Sequence, residues 1–202
     1  PNKNVSLDFT FAVFNAYLKE TPSDLKEKSL NDPEVIDRFK KLVDFVFSKT
    51  DKITFASINI GSEHDAYLQN SSQKWKEYIE FYKEIVDYIH QKKPGVPVTT
   101  ELTFEGIMKN QQYAKELNQY SDQVAVSYYL MEEDGFAGDP TRVYKDFEKL
   151  VNMFPNKQIL FLQFGYPSSE YLGSSQEKQA QFIHESFNAW DRYSSNVKMI
   201  DF

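Results

Sequence analysis

The chain has 202 residues, of which 23 are Lys or Arg and 30 are Asp or Glu, giving a formal net charge of -7. This acidic balance argues against a nucleic-acid partner, which would favour a basic surface, and it is compatible with a neutral ligand such as a glycan. Cysteine is absent, which excludes disulfides, thiolate metal sites and a cysteine nucleophile. No apolar run approaches the roughly 20 residues that span a bilayer, and no signal peptide is visible.

The first half of the chain predicts three strands separated by two long helices, with the strands at 5–14, 53–60 and 98–104. Asp32 and Pro33 fit the N-cap and the first position of the first helix. Apolar residues at helical spacing give each helix a buried face. In the first helix they are Ile36, Phe39, Val43 and Val46, and in the second they are Trp75, Ile79, Tyr82, Val86 and Ile89.

The second half predicts three more strands, at 123–130, 158–164 and 197–202, with helices at 111–120 and after Asp139. A last helix is predicted to begin at Ser174, because Ser174 and Glu177, three residues later, fit a capping box. The apolar side of this helix is expected to consist of Ala180, Ile183, Phe187 and Trp190.

Alternation of strands with helices indicates a parallel α/β sheet, because each crossover carries the chain back across one face. An open doubly wound sheet and a closed TIM barrel, (β/α)8, are the two candidate architectures. No Gly-rich phosphate loop follows any strand, which argues against a nucleotide-binding fold, and polar residues after successive strands favour the barrel. Six strands are predicted instead of eight. We therefore expect residues 1–202 to form one barrel domain, comprising strands three to eight or otherwise incomplete at its ends.

Two predicted strands run into polar loops of similar character. One reads Ile-Asn-Ile-Gly-Ser-Glu-His-Asp at 58–65, and the other reads Phe-Leu-Gln-Phe-Gly-Tyr-Pro-Ser at 161–168. Barrels of this class keep their chemistry at such strand ends. Period-two alternation puts Asn59 and Glu63 on one side of the first strand, so Glu63 is expected to face the barrel interior.

With these strand ends placed, the chain resembles the clan of retaining (β/α)8-barrel glycoside hydrolases that includes endo-β-galactanases and cellulases. It is similar in particular to bacterial members whose fourth strand ends in Gly-Asn-Glu and whose seventh ends in Glu-x-Gly-Tyr-Pro-Ser. Further segments of likeness are Trp75-Lys76-Glu77-Tyr78, Tyr120-Ser121-Asp122, Val126-Ser127-Tyr128-Tyr129 and Ser174-Ser175-Gln176-Glu177-Lys178-Gln179.

The resemblance implies that Glu63 is the catalytic acid/base. Ser62 stands where the clan usually has an Asn that contacts the sugar 2-hydroxyl, so this chain loses one donor there. Gln163 aligns with the nucleophilic Glu of the clan. A retaining glycosidase needs a carboxyl group at both positions, and an amide is close in shape but cannot attack.

Three explanations of Gln163 are open at this point. The protein is a natural pseudoenzyme that binds glycan, or an engineered inactive mutant, or an enzyme whose nucleophile lies elsewhere. For the last case the candidate carboxylates are Glu101, Glu105 and Glu170.

Further residues are expected to contact a carbohydrate. The resemblance implies that Tyr129 hydrogen-bonds the nucleophile position, and Tyr166, just past the seventh strand, is expected to stack on sugar. The remaining predicted substrate-binding residues are Asn59, Ser62, His64 and Glu101. No pair of histidines has metal-ligand spacing, so neither a metal nor any other cofactor is predicted.

The sequence therefore predicts a retaining O-glycoside hydrolase acting on a poly- or oligosaccharide, with its nucleophile position occupied by Gln163. The alternative is a non-catalytic glycan-binding protein on the same scaffold. A carbohydrate is the expected partner, and neither nucleic acid nor a membrane span is expected. Analogy with the family predicts a secreted, periplasmic or cell-surface location, whereas the oligomeric state is not predicted.

Overall fold

The computed structural model describes residues 5–202, and among them the side chains of all but positions 14 and 15. The chain divides into two compact units, with the boundary between Gln123 and Val124. Strands alternate with helices in both units, as the sequence predicts. The prediction that residues 1–202 form one barrel domain stays a prediction.

The first unit is built on a mainly parallel sheet. The strands of this unit are β1 (Ser6–Asn15), β2 (Leu18–Lys19), β3 (Thr54–Ser62), β4 (Val98–Thr99) and β5 (Glu101–Thr103). Its helices are α1 (Pro33–Lys49), α2 (Asp65–Leu68), α3 (Ser72–Lys92), α4 (Phe104–Lys109) and α5 (Gln111–Asn118). Four strands form a sheet of order β2-β1-β3-β4, in which β3 runs parallel to β1 and β4 and the short β2 folds back antiparallel on β1.

The two faces of this sheet differ in polarity because side chains alternate along each strand. On one face the Ser57 hydroxyl donates to Asp8 (2.6 Å), and Asn59 lies in register with Thr10 and Thr99 on the neighbouring strands. The opposite face is apolar and packs against α1 and α3, with a chain of aromatic contacts. The rings of Phe11, Phe39 and Phe81 follow one another at centroid distances of 5.3 and 5.1 Å.

The second unit contains three strands that neighbour one another in chain order. They are β6 (Gln123–Tyr129), which begins at the unit boundary, β7 (Gln158–Gly165) and β8 (Val197–Ile200), with β7 parallel to β8. The helices are α6 (Val143–Met153) and α7 (Gln176–Arg192), and short 3-10 helices cover Pro140–Arg142 and Glu170–Leu172. The core is aromatic and includes Tyr128, Phe147, Phe161, Phe164 and Phe182.

A buried carboxylate anchors α6 to this core. Asp146 is fully buried and accepts a hydrogen bond from the Tyr128 hydroxyl (3.0 Å). Two cations neutralise this carboxylate. Nε of Arg142 lies 3.2 Å from Oδ2 of Asp146, and Nζ of Lys149 lies 2.8 Å from Oδ1. Tyr128 therefore points towards α6.

Helix starts follow the sequence closely, with one shift. Asp32 caps α1 and accepts from the Glu34 amide, and Pro33 takes the first helical position, as predicted. The cap of α7 is Ser175, which accepts from the Lys178 amide, whereas the predicted Ser174 donates to the Pro167 carbonyl (2.6 Å). The prediction of Ser174 was wrong by one residue because the loop uses that hydroxyl for its own closure.

The predicted strand at 98–104 was wrong in detail. It consists of β4 and β5, separated at Thr100, and Phe104 already belongs to α4. The Thr100 hydroxyl lies 2.7 Å from the Ile60 carbonyl and thus serves the end of β3.

The predicted buried faces of two helices also need correction. In α1, Val35 is buried with Phe39 and Val43, while Ile36 and Val46 are only half-buried. In α7 the buried residues are Phe182, Ser186 and Ala189, and the predicted Ile183 and Phe187 are 40% and 48% exposed. The α7 face is decided by Phe182, whose ring stacks on Tyr128 and Tyr166 and contacts Phe164 at a tilt.

Among the described residues, no helix combines the length and the apolar character that a membrane span requires.

The α7 assignment predicts unequal effects of two neighbouring substitutions. Phe182→Ala should lower the free energy of unfolding by about 3–5 kcal/mol, because it empties a fully packed aromatic site. Ile183→Ala should cost less than about 1 kcal/mol, because that side chain is already largely in solvent. Urea unfolding of both variants measures the difference, and a larger loss for Ile183→Ala would restore the face predicted from sequence.

Candidate functional site

The end of β3 leaves the regular strand in a left-handed turn. Gly61 has φ +83° and Glu63 has φ +51°, with β3 ending between them at Ser62. A Cβ on Gly61 would lie 3.0 Å from the His64 ring and 3.1 Å from the Tyr78 hydroxyl, so glycine is needed there. The period-two argument for Glu63 was therefore wrong, since the alternation stops before it. A positive φ on a residue with a side chain costs about 1–2 kcal/mol and must be held by its surroundings.

Side chains hold the backbone of this turn. The Ile60 carbonyl lies within hydrogen-bond distance of the hydroxyls of Tyr78 (2.6 Å) and Thr100 (2.7 Å). The Gly61 carbonyl accepts from the Asn59 amide (2.8 Å), and the Ser62 carbonyl accepts from the Ala16 amide (3.1 Å). Three consecutive carbonyls are thus fixed, so the backbone position of Glu63 at the carboxyl end of β3 is defined.

His64 lies directly beneath this turn and is fully buried. Its ring is 4.1 Å from the Tyr78 ring, and Nε2 is 3.5 Å from the Thr100 hydroxyl. Burial lowers the pKa of His64 to about 3, against a hydrogen bond with the backbone of Glu101 that opposes the shift. The ring is therefore neutral at ordinary pH and supports the turn from below. Its burial does not favour the predicted contact with substrate.

Asp65 joins the turn to the start of α4. Its buried carboxylate accepts from the Thr103 amide (2.8 Å) and the Thr103 hydroxyl (2.7 Å). Burial raises the pKa of Asp65, and the hydrogen bonds from Thr103 oppose this. A Cβ on Gly106 would overlap the Asp65 carboxylate, so the first turn of α4 fits only around glycine.

A buried carboxylate on β5 is hydrogen-bonded to Ser62, the residue before Glu63. Glu101 is 2% exposed, and its Oε2 accepts from the Ser62 hydroxyl (2.7 Å). The structure thus brings together Ser62 and Glu101, two predicted site residues, next to the half-buried Glu63. The shorter serine, which departs from the clan pattern, is used here to hold a carboxylate.

Asn59 occupies the polar face of the sheet just below this cluster. It is 1% exposed, and its amide nitrogen donates to Gly61 and approaches the Thr10 hydroxyl at 3.3 Å. Its Oδ1 has no hydrogen-bond partner among the described residues. A buried unsatisfied carbonyl oxygen is an acceptor for a ligand hydroxyl or a water.

In the second unit, Gln163 lies near the end of β7 and is half-buried. Two residues later, a Cβ on Gly165 would lie 2.7 Å from Cε1 of Tyr129. The Tyr129 ring therefore lies against the β7 backbone close to Gln163, and 46% of the residue remains exposed. Tyr129 offers an accessible aromatic face at the carboxyl ends of β6 and β7.

Tyr166 has a different role from the predicted one. It is buried, its hydroxyl donates to the Gly138 carbonyl (2.6 Å), and its ring stacks on Phe182 at 4.9 Å. Burial raises the pKa of its phenol. The ring connects two loops to α7 and does not present a face for sugar stacking.

The other candidate carboxylates lie outside the strands. Glu105 is in the first turn of α4, and Glu170 begins an exposed 3-10 helix. Among the described residues, no three His, Asp or Glu side chains are grouped so that they could hold a metal ion.

Sequence reasoning missed the residues that build the turn. Asp65 is the last residue of the segment 58–65, but its partners Thr103 and Gly106 are about 40 positions away in the chain. Tyr78 was read only as part of a segment of family likeness. The positive φ of Glu63 had no signal in the sequence, since glutamate rarely adopts it.

Comparison with known proteins shows the fold. No family model matches the sequence, and a search of curated proteins finds no significant match. Among solved structures, the chain is similar to the Ignisphaera aggregans GH53 catalytic domain, with a TM-score of 0.65 and 16% identity over 89% of this chain. It is also similar to an exo-beta-1,4-mannosidase from Opitutaceae bacterium strain TAV5 (TM-score 0.67, 12% identity, 89% of this chain). A beta-glucosidase from Exiguobacterium marinum matches with a TM-score of 0.59 and 9% identity over 87% of this chain.

These matches confirm the predicted fold class. The chain has the α/β architecture of TIM-barrel glycoside hydrolases, at identities that speak for the fold alone. It spans 56%, 34% and 60% of the lengths of the three matched chains, in keeping with a partial barrel.

The fit of α4 around Asp65 predicts a clear cost for a single methyl group. Gly106→Ala should lower the free energy of unfolding by about 1–3 kcal/mol through overpacking. In an Asp65→Ala background the same change should cost less, because the overlapping carboxylate is gone. A double-mutant cycle by urea unfolding measures this coupling. Additive effects would show that Gly106 is not constrained by Asp65.

The burial of His64 predicts an acid-sensitive stability. The unfolded chain binds a proton at this histidine near its ordinary pKa of 6.5, whereas the folded protein does so only near 3. The free energy of unfolding should therefore fall from pH 6.5 towards pH 3, by up to about 1.4 kcal/mol per pH unit from this group. His64→Phe should remove that part of the slope.

Urea unfolding across this pH range gives the slopes, and His184→Phe, at an exposed position, controls for the loss of a histidine. Equal slopes for the wild type and His64→Phe would contradict the buried neutral ring.

Proposed function

We propose that this protein binds a glycan through the site of a retaining O-glycoside hydrolase whose nucleophile position lacks a carboxylate. It recognises a poly- or oligosaccharide and turns it over slowly or not at all. Glu63 has the role of acid/base, position 163 is the place of the nucleophile, and Tyr129 contacts the group at that position.

Glu63 carries this proposal. It is a residue with a side chain in a left-handed conformation, held at a strand end by the buried His64 and by three fixed carbonyls. Strain of this kind at a strand end of an α/β barrel supports a functional role, since a glycine would fill the same conformation at lower cost. The half-buried carboxyl group is suited to protonate a leaving glycosidic oxygen.

Gln163 defines what the site can do as written. In a retaining reaction Glu63 would protonate the leaving oxygen, and a carboxylate at position 163 would bond to the anomeric carbon. Glu63 would then take a proton from the water that releases the sugar. A neutral amide cannot form the glycosyl ester, but its oxygen and NH2 group can still hydrogen-bond sugar hydroxyls.

Other polar groups support binding of a neutral polyol. The Oδ1 of Asn59, for which the described part of the chain provides no hydrogen-bond partner, is an acceptor on the polar face of the sheet. Glu101 and Ser62 add a carboxylate and a hydroxyl beside Glu63, and the half-exposed ring of Tyr129 offers an apolar face to a pyranose. A purely glycan-binding role is the second candidate, favoured by the amide at position 163.

Gain of function on Gln163→Glu tests the proposal. Assays of product release from a panel of neutral β-linked polysaccharides and aryl glycosides compare the wild type with this variant. We expect a rise of at least about a thousandfold, of the order by which loss of a nucleophile disables other hydrolases. The double variant Glu63→Gln, Gln163→Glu should lose the gain on unactivated substrates, because no acid remains.

Equal activity in the wild type and Gln163→Glu would show that another residue is the nucleophile, and Glu101 is the first candidate. Binding by the wild type without any turnover in Gln163→Glu would support the purely binding role. Neither binding nor turnover, from folded protein, would reject the glycan proposal.

A further inference from the structure

Two loops at the carboxyl ends of β6 and β7 carry exposed aromatic rings that the core does not use. Phe136, in the loop after β6, is 49% exposed, and Tyr171, in the 3-10 helix after β7, is 88% exposed. We call these two rings the aromatic platform. Exposed large aromatics that gather at one edge of a fold mark binding surfaces more often than chance.

The loop after β6 is a small closed hairpin. Met131 pairs with Ala137, the Glu132 amide donates to the Phe136 carbonyl (2.7 Å), and the Phe136 amide donates to Asp134 (3.1 Å). The position of Phe136 is therefore set by the backbone of its own hairpin.

The two loops are also fastened to each other. The Ala137 amide donates to the Leu172 carbonyl (2.8 Å), one residue from Tyr171. The Phe136 ring lies against Gly173, where a Cβ would be 3.2 Å from Cδ1 of Phe136 and where φ is +69°. Tyr166 adds the bond to Gly138 described above. The Phe136 ring and the backbone that carries Tyr171 are thus held in place before a ligand arrives, which lowers the conformational entropy lost on binding.

We propose that the aromatic platform binds a sugar unit of a neutral glycan chain, next to the unit that reaches Tyr129 and Gln163. This inference rests on the proposed function and extends it to a further sugar position. The platform lies on the loops that follow β6 and β7, the same strands that end in Tyr129 and Gln163. The C–H face of a pyranose stacks on exposed aromatic rings, and its hydroxyls turn outward to polar partners.

The charges around the platform select the kind of sugar. Glu132, Glu133 and Asp134 precede Phe136 in its hairpin, and Glu170 precedes Tyr171. Arg142 is already paired with Glu132 at 2.6 Å and with Asp146. Lys178 donates to the Gly173 carbonyl (2.8 Å), so one cation also lies near the Phe136 ring. The acidic residues of the two loops outnumber Arg142 and Lys178, and carboxylates accept hydrogen bonds from hydroxyls and repel other anions. A neutral or amino sugar fits this surface, and a uronic acid does not.

Affinity measured against chain length tests the platform. Isothermal titration uses neutral β-linked galacto-, gluco- and manno-oligosaccharides, from disaccharides to long chains, with oligogalacturonate as the anionic probe. The variants are Phe136→Ala, Tyr171→Ala and the double variant. Phe45→Ala is the matched control, since Phe45 is a 60% exposed aromatic residue of α1, in the first unit. Unfolding curves confirm that each variant is folded.

We expect each single platform variant to weaken binding of long chains by about tenfold and to leave disaccharide binding unchanged. Phe45→Ala should bind like the wild type, and oligogalacturonate should bind more weakly than the neutral chains. Glu133→Lys makes the loop after β6 less acidic and should bring the affinity for oligogalacturonate closer to that for the neutral chains.

Unchanged affinity for long chains in the double variant, with the wild type still binding, would overturn the platform and leave the proposed function standing. Preferred binding of oligogalacturonate would overturn the assignment to neutral sugars. If no glycan binds the wild type and Gln163→Glu is inactive on aryl glycosides, the proposed function fails and the platform falls with it. Binding of an unrelated protein at these rings, without glycan binding, would also overturn it.

Discussion

The left-handed turn at the end of β3 is the constraint on which the first unit depends. Gly61 and Glu63 take conformations that the chain does not adopt unaided, so the neighbouring structure must hold them. It does so with buried polar groups, namely the neutral ring of His64 and the hydroxyl of Tyr78. Because an unpaired buried polar group is costly, this network holds together only when its members are all in place. The backbone from which the Glu63 side chain extends is fixed by these contacts.

The second unit depends on packed aromatic rings instead of buried polar groups. Its core is a stack of aromatic rings around Phe182, and its exposed strand ends carry an amide, Gln163, and accessible rings such as Tyr129. This chemistry suits recognition through stacking and hydrogen bonds, whereas the first unit supplies carboxylates. Under the proposed function, binding of a glycan and its turnover depend on different groups, so the two can be measured separately.

Sequence patterns predicted much of the architecture because they report local physics. The cap at Asp32 and the alternation of strands and helices follow from short-range hydrogen bonding and periodicity, and they were found correctly. The face of α7 was not, because Ile183 and Phe182 are equally apolar and only contacts from β6 and β7 distinguish them. The same holds for Ser174, whose hydroxyl was taken by a loop carbonyl. Local pattern fails wherever two apolar or polar neighbours compete for one partner.

The sequence by itself determined the fold class, the two strand-end motifs and the neutral side chain at Gln163, since these depend on residue identity and spacing. Only the tertiary structure decided which of the predicted site residues are buried supports of the fold and which are accessible to a ligand. It buried His64 and Tyr166, which had been expected to touch sugar, and it joined Ser62 to Glu101 across 39 positions. The physical reason is that burial and long-range hydrogen bonds are properties of the packed chain. No window of neighbouring residues contains them.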